Sequence, residues 1–163
     1  MKLELKNISY YERGSEETPC YDATVYINGK KAIDVSNNGQ GGCDRQYPIE
    51  PFTYKDIEKV NNYLAEKSGD DFEPLDTWCQ RELFINQDKK LLKRTMKKNI
   101  MVFVNKEDIA NGRYYLFKIQ NNVMSLMAYI KDKYPQSIIL NDMSFDEALK
   151  TFRNEVSIWK LLT

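Results

Sequence analysis

The chain has 163 residues, 42% of them apolar and 29% charged, with 24 Lys and Arg set against 24 Asp and Glu. That length suits a single domain that buries its own core without disulfide or metal staples, and that composition excludes wholesale disorder. A net charge of zero excludes both a uniformly basic nucleic-acid coat and a strongly acidic imitation of the DNA backbone, so charge-driven binding has to come from a local patch.

In chain order, Leu3, Leu5, Ile8 and Tyr10 alternate loosely and predict a strand over residues 3–11. A polar loop follows at 15–19, then a second strand at 21–27. Asn28 and Gly29 form the dipeptide best suited to a two-residue hairpin, whose central positions both need positive φ, and residues 31–36 return as a third strand. The N-terminal third thus reads as an antiparallel meander. Residues 37–52 hold the densest glycine cluster and two prolines, Pro48 and Pro51, and read as one long loop.

Thr53 is placed to cap a helix with apolar face Ile57, Val60 and Leu64, ending near Gly69. An acidic connector with Asp70, Asp71, Glu73 and Asp76 leads into a longer helix from about 75 to 98. Leu75, Trp78, Ile85, Leu92 and Met96 follow one of its faces, widened by Phe84 and Leu91. Residues 100–104 and 113–119 predict two further strands, joined by a loop that contains Asn111 and Gly112. Val123, Leu126, Met127 and Ile130 mark a helix that stops before Pro135, and 137–140 read as a short strand. Ser144 and Glu147 form a capping-box pattern for a C-terminal helix carrying Phe145, Ala148, Leu149, Phe152, Val156, Trp159 and Leu162. The expected fold is α+β: a single domain over 1–163, with an antiparallel sheet of about five strands, the meander plus the later hairpin, and about four helices packed mainly on one face.

The chain contains no His. Nucleophile pairs that depend on imidazole are therefore excluded, as are imidazole-ligated metal sites and the one side chain that titrates unperturbed near neutral pH. Cys20, Cys43 and Cys79 are odd in number and far apart, which argues against a disulfide framework or a thiolate zinc site and for reduced thiols. The first residues lack an apolar signal core, and the apolar runs are too short to span a bilayer, so a cytoplasmic, non-membrane protein is expected. No catalytic constellation, cofactor or metal site is expected.

Two segments stand out as binding candidates. The first is the glycine loop, with Asn37, Gly39, Gly41, Gly42 and nearby Arg45. Glycines let backbone N–H groups converge on an anion, so a phosphorylated small molecule or nucleotide is a candidate ligand here, bound or hydrolysed. The spacing nevertheless matches neither a P-loop nor a dinucleotide fingerprint, and a tight turn explains the same residues. The second is the basic end of the long helix: Lys89, Lys90, Lys93, Arg94, Lys97 and Lys98, six cations with no acid among them. Such a face suits an acidic protein, a ribonucleoprotein or nucleic acid, although a solvated helix end near the negative dipole terminus accounts for it too. The acidic connector offers oxygen ligands without the EF-hand order and reads as a solvated linker or as acids beside the next helix's N-terminus. The aromatic stretch Arg113, Tyr114, Tyr115, Leu116, Phe117 and Lys118 suggests base stacking but reads better as a strand with one core face.

The segments 15–18, 23–31 and 35–42, which carry the hairpin and the glycine loop, resemble the start of small hypothetical proteins of phages, plasmids and bacterial genomes. The resemblance covers the first quarter to third of the chain and implies a mobile-element setting, with no activity or catalytic residue attached. Together these readings lead to a non-enzymatic binding protein of a phage or mobile element. Its partner would be a protein or ribonucleoprotein, and inhibition of a host defence complex in the manner of an anti-CRISPR is a special case.

Overall fold

A computed structural model describes residues 1–69, 72–120 and 122–156. Its internal contacts divide the chain into two units, Met1–Asn86 and Gln87–Thr163, and the boundary falls inside a long helix. The fold is α+β, with two antiparallel sheets rather than one.

In the first unit, β1 (Leu3–Tyr10), β2 (Cys20–Ile27), β3 (Lys30–Asn38) and β4 (Arg45–Pro48) form a sheet in that order, each neighbouring pair antiparallel. The hairpin turn is as expected, with φ of 50° at Asn28 and 82° at Gly29. Asn7, at φ 53°, coincides with a register shift between Lys6 and Ser9. This bulge explains why the apolar positions of β1 change phase from Leu3 and Leu5 to Ile8 and Tyr10. Tyr21, Ala23, Val25 and Ile27 of β2 lie opposite Asn37, Val35, Ile33 and Lys30 of β3. Their apolar members build one core with Ile57, Val60 and Leu64 of α1 (Tyr54–Ser68) and Leu75, Cys79 and Leu83 of α2 (Pro74–Met96). α1 starts on a capping box between Thr53 and Asp56 and ends on left-handed Gly69, at φ 72°.

The expected 37–52 loop is interrupted by β4, an edge strand whose four residues alternate too weakly to be read as a strand from sequence. Pro48 is tolerated there because an outer strand need not donate every N–H to a ladder.

In the second unit, β5 (Asn99–Phe103) lies between β6 (Tyr115–Lys118) and β7 (Ile138–Ile139), antiparallel to both. β5 is covered on both faces from Ile100 to Phe103, which is why those four residues are an unbroken apolar run. Met101 and Phe103 pack with Leu92 of α2, Leu140, and Ala148, Leu149 and Phe152 of α5 (Phe145–Val156). Ile100 and Val102 pack with Ile139 and with Ile130 of α4 (Val123–Lys133). The connection between β5 and β6 contains a short helix, α3 (Lys106–Ala110), in place of the plain loop expected around Asn111. The Ser144–Glu147 capping box is present, with the Ser144 N–H donating to Glu147 Oε2 at 3.1 Å and the Glu147 N–H to Ser144 Oγ at 3.4 Å. Trp159 and Leu162 lie outside the described residues.

Candidate functional site

The glycine loop closes on itself. Asn37, buried at the end of β3, accepts from the Gly39 N–H at 2.9 Å and from Thr18 Oγ1 at 2.7 Å. Its amide donates to the Gly42 carbonyl at 3.1 Å and to Asp44 Oδ1 at 3.0 Å. The Gly41 N–H donates to Thr18 Oγ1 at 3.2 Å. Gly39 has φ of 84°, and a Cβ there would fall 1.9 Å from the Gly14 carbonyl oxygen, so only glycine fits. Its own carbonyl accepts from the N–H groups of Glu16, Glu17 and Thr18. Gly42 is exposed with φ of 80°, and Arg45 is exposed on β4 with no ion pair among the described residues.

The loop is fastened to the start of α2 by acids. Asp76, in the first turn of α2, is 4% exposed and accepts the Asp44 N–H at 2.7 Å as well as the Gln46 side-chain amide. The acidic connector is therefore not wholly solvated: Asp76 is a buried tether, Glu73 accepts from the Cys43 thiol at 2.5 Å, and Asp70 and Asp71 lie outside the described residues. Asp44 is buried too and accepts from the Tyr21 hydroxyl and the Asn37 amide. Burial pushes its carboxyl up to about 6; the hydrogen bonds from Tyr21 and Asn37 hold it down, while the nearby Asp76 raises it further. Burial likewise raises Asp76, Tyr21 and the Cys79 thiol.

This arrangement is poorly suited to an anion. The amides of Gly39 and Gly41 are engaged within the loop, and Glu17, Asp44, Glu73 and Asp76 surround it with carboxylates. It also raises the Cys43 thiol rather than lowering it, first through the hydrogen bond to Glu73, then through burial and the surrounding negative charge, which is the opposite of the activation a reactive thiol needs. Cys43, Glu73 and Asp76 bring three donor atoms within 4.8 Å of one another, but the Cys43 thiol is bonded to Glu73 and both Asp76 oxygens are occupied by Asp44 and Gln46. The buried Tyr21, Asp44 and Asp76 network was not visible in the sequence, where these residues stand 23 and 32 positions apart.

The basic segment has the opposite character. Lys89, Lys90, Lys93 and Arg94 lie on the last turns of α2, and all six cations are exposed. The helix ends at Met96, so Lys97 and Lys98 occupy the turn before β5 and not the helix itself. The Asn99 side chain and the Lys98 N–H both donate to the Thr95 carbonyl, and the Asn141 amide donates to that of Met96, which satisfies the last two carbonyls of the helix. On the inner side, Leu92 is fully buried, with Leu91 and Met96 against the same core. Asp88, the acid just before the run, is held by Arg153 of α5 at 2.6 Å. None of the six cations has an ion pair among the described residues. Lys118, exposed on β6, stands opposite Asn99 and adds a cation beside the turn. In the aromatic stretch, Tyr114 packs on Phe152 and Phe117 on Tyr134, while Tyr115 and Leu116 are exposed.

Comparison with protein-family models, with curated proteins and with solved structures found no match to any of them. Among the described residues, no helix is long and apolar enough to cross a membrane.

Proposed function

We propose that the protein is a non-enzymatic binding protein that meets a polyanionic face of a protein or ribonucleoprotein through the strip Lys89, Lys90, Lys93, Arg94, Lys97 and Lys98. The observation that carries this reading is the exposure of six neighbouring cations with no ion pair among the described residues. Spaced every four residues, the helical cations advance about 6 Å per step along the surface, presenting a row of charge rather than a point. Charge distribution supports the same reading. Met1–Asn86 hold 10 Lys and Arg against 16 Asp and Glu, and Gln87–Thr163 hold 14 against 8, so the formally neutral chain consists of an acidic unit of −6 and a basic unit of +6. The resemblance of the N-terminal third to phage and plasmid proteins makes inhibition of a host defence complex the leading special case.

The test is charge reversal of Lys90, Lys93, Arg94 and Lys97 to Glu, with complexes recovered from a bacterial host and weighed by native mass spectrometry. The wild type is expected to carry a defined additional subunit or ribonucleoprotein. The reversed variant is expected to lose it while melting within a few degrees of wild type, because exposed charges contribute little to stability. Retention of the partner by a folded variant would remove the strip as the contact surface.

A further inference from the structure

A second surface, in the first unit, has different chemistry. Leu3 of β1, Tyr63 and Leu64 of α1 and Trp78 of α2 form the apolar walls of an open groove of about 470 Å³, within the range of roughly 300–1,000 Å³ common for small-molecule sites. The Tyr63 hydroxyl donates to the Met1 carbonyl at 2.8 Å, which fixes that ring in the wall. Among the described residues, Lys2, Lys67 and Arg81 line the same groove against one acid, Glu82. The Lys67 ammonium lies 4.9 Å from the centre of the Tyr63 ring. Neither Lys67 nor Arg81 has an ion pair among the described residues, and Lys2 reaches Glu4 only at 3.6 Å. This convergence occurs in a unit with 16 acids and only 10 bases, where a random wall would be acidic.

We propose that this groove binds a small organic anion with a flat apolar body, of the aryl carboxylate or aryl sulfonate class. The ring lies against Trp78 and Leu64, where it removes apolar surface from water. The acid group meets Lys67 and Arg81, where a charge-assisted contact is stronger than a neutral one. A neutral ring would gain only the first contribution, and a small inorganic anion only the second. The site is independent of the basic strip, which lies in the other unit.

The probe is 8-anilinonaphthalene-1-sulfonate, titrated into folded protein alongside its uncharged counterpart N-phenyl-1-naphthylamine. The expected result is one saturable sulfonate site per chain, with the neutral compound about tenfold weaker or worse, and the Lys67→Glu/Arg81→Glu variant weakened by a similar factor. Lys67→Gln/Arg81→Gln provides a second variant should reversal disturb folding; it is expected to fall between the two. The strip variant with Lys90, Lys93, Arg94 and Lys97 reversed should bind the probe like wild type. A melting curve in each case separates groove binding from the dye uptake of a loosened core. Equal affinity for the neutral compound, unchanged affinity in both groove variants, or loss of the site on reversing the strip would each overturn the proposal.

Discussion

Asp44 is where a single side chain affects the whole first unit. Its carboxyl is raised to about 6, first by burial and then by the neighbouring Asp76, against the restraint of the Tyr21 and Asn37 hydrogen bonds. A carboxyl that is harder to ionise when folded stabilises the protein fully below its unfolded value and loses that contribution as pH rises through its folded value. The loss falls between pH about 4 and about 6; at about 1.4 kcal/mol for each pH unit of that window, it amounts to about 3 kcal/mol. Asp44→Asn keeps one acceptor and cannot titrate. Thermal melts across this window should show wild type losing stability relative to the variant as pH rises, by an amount of that order. Parallel curves would mean that Asp44 stays ionised in the fold. Asp56, lowered to about 2 by Lys59 and the Thr53 cap, lies outside the window and is common to both proteins.

At the scale of elements, the end of α2 is set by Asn141. Its Oδ1 accepts the Met101 N–H at 2.8 Å, and its Nδ2 donates to the carbonyls of Met96 and Asn99 at 3.2 and 3.1 Å. One side chain thus ties the last turn of the helix to the first residues of β5 and fixes where the strip leaves the helix. Asn141→Ala strands three backbone groups, and denaturant unfolding should show a loss of about 2–3 kcal/mol. An unchanged midpoint would mean that water replaces all three contacts. The Thr53 cap, the Ser144–Glu147 capping box, the Gly69 stop and the Asn28–Gly29 turn were legible in the sequence because each depends on residues close together in the chain. The clip was not, because Asn141 acts 45 residues from Met96.

At the scale of the molecule, neutrality conceals separation of charge: −6 in the first unit and +6 in the second. Binding through the basic unit should weaken as salt rises, since exposed charges are screened over about 8–10 Å at physiological ionic strength. If the target presents nucleic acid to all six cations, the logarithm of the association constant should fall against the logarithm of salt with a slope of about −5 for a duplex. A shallower, curved decline would favour an acidic protein face, and affinity independent of salt would count against the strip altogether.

The sequence by itself determined the α+β class, the absence of imidazole chemistry, the periodic helices and the six-cation run, because these depend on composition or on neighbours within a few residues. Only the tertiary structure decided that the strands form two sheets, that residues 45–48 add an edge strand, and that the glycine loop is a closed clip walled by carboxylates. It also decided between the two readings of Asp76, which stands in the first turn of α2, as one of them had it, and is a buried tether there and not a solvated linker. The physical reason is common to all of these. Pairing partners, burial and the field around an ionisable group are set by residues far apart in the chain, and Asp44 and Asp76 acquire their raised carboxyls only when folding removes water from both.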